Sequence, residues 1–215
     1  MRRTIWTFLL LLAITSSFAG CGNGGGETER GRQAQETSQP RDKRETSEAA
    51  RPRLADQWAG RVEGTNAYIS VFTLDDGQAG AYLADGQRIA TLVLGRIDNE
   101  TLDLEPARGT TVAGTVRGDM VDGTATIDGA QHPFSAQKAT GTAGWYRGRA
   151  TIGGQAVAAG YIILADGSQK GAVRRGEEIL ATPTFDPANP IIEVEGGSVT
   201  VRPVAEFVEQ EGGLS

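Results

Sequence analysis

The chain has 215 residues, one cysteine, one histidine and a net charge of −6. A single thiol excludes an intrachain disulfide, and one imidazole beside it leaves too few ligands for a His/Cys zinc site. From residue 54 onward 12 basic side chains stand against 21 acidic ones, a balance that argues against nucleic acids and anionic lipid surfaces as partners of the folded part, because both reward clustered Lys and Arg.

Arg2 and Arg3 precede an apolar run over residues 5–14, and small residues follow at Ser16, Ser17, Ala19 and Gly20. A ten-residue run is too short to cross a hydrocarbon core, which takes about 20 in a helix. The order of charged, apolar and small segments is that of an export signal, so residues 1–20 are expected to be a signal peptide. Phe18-Ala19-Gly20-Cys21 resembles the lipobox of bacterial lipoproteins, in which the cysteine is diacylated through its sulfur and becomes the first mature residue. The resemblance makes Cys21 the lipidation site and places the protein on the extracytoplasmic face of the cell membrane, held by its lipid. Phe18 stands where Leu, Val or Ile is usual. Ser17-Phe18-Ala19 also fits ordinary signal-peptidase cleavage, which would secrete a soluble chain with a free Cys21.

Residues 22–53 contain no Val, Ile, Leu, Met or aromatic side chain, and their six acidic and seven basic residues are intermixed. With nothing apolar to bury, such a stretch cannot offset its ordering entropy. Residues 21–53 are expected to be a lipidated cysteine and a disordered tether spanning about 30 Å. An all-β domain over 54–209 and a flexible tail over 210–215 would follow.

Within that domain Asp76-Gly77, Asp85-Gly86, Asp98-Asn99, Gly118-Asp119, Asp128-Gly129, Gly153-Gly154 and Asp166-Gly167 punctuate the chain. Such pairs accept the positive φ of tight hairpin turns. Between them the pattern has a period of two: Leu102 and Leu104 alternate with polar neighbours, and Val121, Gly123, Ala125 and Ile127 share one face. Residues 68–74, 89–94 and 157–164 are apolar on both faces, which suits strands covered on both sides. Gly114, Gly123 and Ala125 leave room for strong coiling or close strand packing. The expected fold is all-β, an antiparallel meander of hairpins forming a barrel or two packed sheets, with one short helix over 203–210. A weak repeat relates Trp58-Ala59-Gly60-Arg61, Tyr68-Ile69 and Asp76-Gly77 to Trp145-Tyr146-Arg147-Gly148-Arg149, Tyr161-Ile162 and Asp166-Gly167. If it is a duplication, two similar meanders pack face to face or close into one barrel.

The runs Gly60-Arg61-Val62-Glu63-Gly64-Thr65-Asn66-Ala67-Tyr68-Ile69, Ala81-Tyr82-Leu83-Ala84-Asp85-Gly86, His132-Pro133-Phe134 and Gly160-Tyr161-Ile162-Ile163-Leu164-Ala165-Asp166-Gly167 resemble a β-domain of exported actinobacterial proteins. The resemblance covers nearly the whole folded part. It implies an extracytoplasmic bacterial setting and carries no activity or catalytic residue.

A serine or cysteine triad would need His132 as its base, yet no Gly-x-Ser-x-Gly elbow exists and the only thiol is Cys21. A strand-edge histidine beside Phe134 is expected instead, with Pro133 at an edge or strand start. Paired carboxylates serve glycoside hydrolysis, but most aspartates here flank glycines in turns, where they accept local backbone hydrogen bonds. Alternation that turns Tyr146, Ala150 and Ile152 inward puts Trp145, Arg147 and Arg149 outward together. An aromatic plane beside two cations suits an anionic or sugar-like ligand; the alternative is that Trp145 only caps the core or covers a barrel end. There is no nucleotide loop, metal-ligand motif or cofactor motif.

The expected function is therefore a lipid-anchored, extracytoplasmic binding or interaction domain rather than an enzyme. Its partners would be the membrane, through the lipid, and a ligand or protein of the envelope. A carboxylate-dependent hydrolase of envelope polymers and a structural envelope lipoprotein are the alternatives.

Overall fold

The seven turn pairs set the architecture. In the computed structural model, which describes residues 51–211, each pair joins two consecutive strands and supplies at least one residue with positive φ. The expected signal peptide, the expected lipidation site Cys21, the expected tether up to residue 50 and residues 212–215 lie outside the described residues.

Strands β1 (Leu54–Val62), β2 (Tyr68–Leu74), β3 (Gln78–Ala84), β4 (Ala90–Asp98), β5 (Thr101–Leu104), β6 (Thr110–Arg117), β7 (Met120–Ile127) and β8 (Ala130–Lys138) pair in chain order. β8 returns to β1 antiparallel and closes an eight-stranded barrel. The inward faces supply Trp58, Ile69, Val71, Leu83, Val93, Val121 and Phe134, all nearly inaccessible, so side chains fill the barrel as its size allows. The small residues work as expected: Gly114 pairs with Gly123, and the Phe134 ring lies against both. Pro133 sits inside β8, in the part that the ladder with β1, which ends at Val62–Phe134, does not reach; no ladder bond is lost there.

After β8 the chain leaves the barrel and builds a second sheet from β9 (Gly144–Ile152), β10 (Gln155–Ile163), β11 (Gln169–Arg175) and β12 (Glu178–Leu180). Its order is β12-β11-β10-β9-β15, with β15 spanning Arg202–Pro203. Of the two expected architectures the chain thus uses both, a closed barrel and a sheet packed on it. The repeat maps onto β1–β3 and β9–β11, and in each the aromatic of the middle strand covers a glycine of the third, Phe72 over Gly80 and Tyr161 over Gly171. The registers differ, however: Trp58 pairs with Val71, three residues past Tyr68, whereas Trp145 pairs with Ile162, one past Tyr161. In both, the tryptophan takes the face opposite that tyrosine; Trp58 points into the barrel and Trp145 into the space between the layers.

That intervening layer holds Tyr68, Phe72 and Tyr82 from the barrel's outer wall, Trp145 and Ile162 from the sheet, and Val204 and Val208 from helix α1 (Val204–Glu211). It explains why β2 and most of β10 are apolar on both faces. On the far side of the sheet Phe185 wedges between Tyr146 and Tyr161, at 5.1 and 5.0 Å, under the hairpin of β13 (Ile191–Val194) and β14 (Gly197–Thr200). Polar ties at the rim, Arg61–Asp166 at 2.8 Å and Arg108–Glu177 at 2.6 Å, are exposed and add little stability each.

One turn carries more weight. Asp85 Oδ1 accepts the backbone N–H groups of Gln87, Arg88 and Ile89, each at 2.8 Å, in a nearly buried position. Asp85→Ala strands three donors, so the urea midpoint is expected to fall by the equivalent of about 2 kcal/mol. An unchanged midpoint would mean that water replaces the carboxylate there.

Candidate functional site

Between the barrel wall and the second sheet runs a trough of about 640 Å³, within the range of small-molecule sites. Its floor is β10, whose barrel-facing positions are Ala156, Ala158 and Gly160. Small side chains at every second position leave depth where larger ones would fill the gap. Ladder partners fix the walls: Arg149 and Arg174 flank Ala158, and Arg147 and Ala172 flank Gly160. The barrel contributes Tyr82 from β3, Ala90 and Leu92 from β4, and Arg108 from the loop before β6. Four arginines thus line the trough, and no carboxylate does.

Trp145, Arg147 and Arg149 do share one face, as alternation requires, but that face is not open to solvent. Trp145 is 2% and Arg147 9% exposed, and only Arg149 is outwardly accessible. The correction has a simple cause: the barrel and α1 cover this side of β9. The Trp145 ring stacks on Phe72 and Tyr82, with centroids 5.3 and 5.1 Å away, so it seals an inter-layer core rather than a barrel end. Arg147 lies over Trp145 and over Phe207 of α1, at 5.6 and 4.7 Å, and Arg149 also lies over Phe207. Burial, aided by Arg149, lowers the Arg147 guanidinium to about 10, which leaves it cationic at neutral pH.

One buried donor at this end is unused. Trp145 Nε1 has no hydrogen-bond partner among the described residues. Tyr82 is 7% exposed, and its hydroxyl ends against Gly160, where a Cβ would come within 2.6 Å. Burial pushes the Tyr82 phenol above its ordinary range, although Arg147 and Arg174 pull it the other way; it stays protonated and able to donate. At the trough's rim Glu177 takes Arg108 in two hydrogen bonds, at 2.6 and 3.2 Å, and Arg174 at 3.3 Å. The hydrogen bond and charge of Arg108 hold the Glu177 carboxyl below the usual range.

The aspartates sit where turn chemistry puts them: Asp76, Asp166 and Asp186 each accept the backbone N–H two residues on. A second recess, of about 450 Å³, opens at the barrel mouth and is lined by Asp85, Arg88, Asp128 and His132. His132 shares the inward parity of Phe134 and places Nδ1 3.2 Å from the Glu63 carbonyl. Among the described residues no group of three His, Cys, Asp or Glu side chains could hold a metal, and no helix is long and apolar enough to cross a membrane.

Sequence reasoning missed Arg108 and Arg174 and left Tyr82 undistinguished from the other aromatics. The available signal was the small-residue alternation at Ala156, Ala158 and Gly160, which marks a face with room above it. No family model, curated protein or solved structure matches the chain.

Proposed function

We propose that the chain is a lipid-anchored binding protein of the extracytoplasmic face of the cell membrane, whose β domain takes an anionic small molecule into the trough between barrel and sheet. The observation that carries this reading is the gathering of Arg108, Arg147, Arg149 and Arg174 around one recess without an acidic lining residue, in a region whose overall charge is −9. A cleft lined by one sign of charge between low-dielectric walls focuses its field on a ligand of the opposite sign. The apolar segment ahead of Cys21 and the tether free of apolar residues support the anchor.

Ligand binding is tested by thermal melting of the full-length chain against carboxylates, phosphate esters, acidic glycans and acidic peptides. A true trough ligand raises the melting temperature of the wild type and not of Ala158→Phe, which fills the floor; a panel with no hit sinks the reading. For the anchor, cells fed a labelled fatty acid should label the wild type and not Cys21→Ala. A wild-type chain released unlabelled into the medium would replace the anchor with the Ser17-Phe18-Ala19 cleavage and a secreted protein.

A further inference from the structure

Resting on the trough reading, we propose that Arg108 is the residue that receives a carboxylate of the ligand, and that Glu177 stands in for that carboxylate in the ligand's absence. Arg108 and Gly109 are the central residues of a tight turn in which Ala107 and Thr110 exchange both backbone hydrogen bonds, at 3.0 and 2.9 Å. Their φ angles are 49° and 73°, and such turns ordinarily place Asn, Asp or Gly first. An arginine in that position costs backbone strain, and its long side chain does nothing for the turn. The side chain acts across the rim of the trough instead. It reaches from the barrel to the turn between β11 and β12, where Nη1 and Nη2 donate to the two carboxylate oxygens of Glu177 at 2.6 and 3.2 Å. Arg174 Nη2 donates to the same Oε2 at 3.3 Å, so arginines from the two layers converge on one carboxylate oxygen.

Stability does not account for the strain at Arg108. The side chains of the pair are 52% and 82% exposed, and ion pairs so open to water add little and weaken with salt. Exchange is easy for the same reason. Arg108 also lines the trough, so a carboxylate arriving there offers its planar fork the same two oxygens, now between low-dielectric walls where a charge-assisted pair is stronger. Glu177, once released, is left on a turn where it already meets water. Arg174 stays with that turn through the carbonyl oxygens of Gly176 and Glu177, at 3.4 and 3.3 Å. Arg108 is therefore the side chain that changes partner. The class of ligand follows from what its fork already holds, a carboxylate bound through both oxygens.

The test is calorimetry on the full-length chain with acetate, benzoate and succinate as probes. Glu177→Gln removes the stand-in and should tighten at least one probe about two- to fivefold, the scale of an exposed ion pair. Arg108→Asn suits the turn and discards the fork, so it should weaken the same probe about tenfold, the scale of a hydrogen bond to a charged group, without lowering the melting temperature. A lower melting temperature with binding unchanged would make Arg108 a structural residue and overturn the proposal. In the double variant the gain from Glu177→Gln should vanish. A gain that persists without Arg108 would reduce Glu177 to a distant charge and overturn the exchange, as would equal or weaker binding by Glu177→Gln alone. If none of the three probes binds the wild type or Glu177→Gln, the carboxylate assignment falls; the trough reading falls with it only where the wider panel also yields no ligand that Ala158→Phe loses.

Discussion

Gly60→Ala is expected to cost the protein about 3 kcal/mol or more, a large share of the 5–15 kcal/mol that holds a typical domain together. Gly60 lies on the β1–β8 seam that closes the barrel, paired with Ala136. A Cβ there would stand 2.0 Å from the Ser135 carbonyl oxygen and 2.7 Å from Ala136 Cα. Both are backbone atoms of the neighbouring strand, so no side chain can swing aside, and relief requires the seam to open. Gly153→Ala is the control. Gly153 has φ of 58° but nothing near its Cβ position, so its cost is that of left-handed strain alone, about 1 kcal/mol. Urea melts should separate the two variants clearly, and coincident midpoints would mean that the seam tolerates a wider spacing. Gly95 and Gly123 approach their neighbours as closely, with a Cβ 2.0 Å from the Asp103 oxygen and 2.2 Å from the Ala113 oxygen respectively. Strong coiling of the barrel is thus written into glycines at several ladders.

Those glycines show what a linear reading can and cannot reach. Hairpins are local, and each of the seven turn pairs supplies a residue with positive φ, so the turns and the all-β class were legible residue by residue. Closure is not local. Nothing in residues 130–138 says that their partner is β1 rather than the next strand, because the pairing joins segments more than 70 residues apart through backbone groups that every residue carries. Nor does the stretch 139–143 announce that the chain leaves the barrel there. The candidate site divides in the same way. Trp145, Arg147 and Arg149 emerged together because alternation along one strand places them together. Arg174 and Tyr82 join them only through ladders and layer packing, and Arg108 through a loop. The burial of Arg147 was illegible for a related reason: alternation assigns a face and does not say what covers it.

Trp145 combines stability and recognition, and its substitutions separate the two. Trp145→Ala removes the ring that stacks on Phe72 and Tyr82 and packs within the layer joining barrel to sheet, so a loss of about 3–5 kcal/mol is expected. The damage should be directional. The barrel keeps its own core of Trp58, Leu83, Val121 and Phe134, whereas β9–β11 lose the contact that ties them to it. Hydrogen exchange should therefore accelerate in β9–β11 well before β6–β8; uniform acceleration would mean that the two layers form one cooperative unit. Trp145→Phe retains most of the stacking and discards Nε1. Because that donor is buried without a partner among the described residues, its removal offsets part of the lost packing, for an unsatisfied buried donor costs about 1–3 kcal/mol. The phenylalanine variant should accordingly melt close to the wild type in the absence of ligand. Anion binding by this variant then reads whether Nε1 serves the trough as well as the packed layer. A Trp145→Phe protein that binds anions normally would make Trp145 a packing residue alone and leave the trough's arginines to hold the ligand.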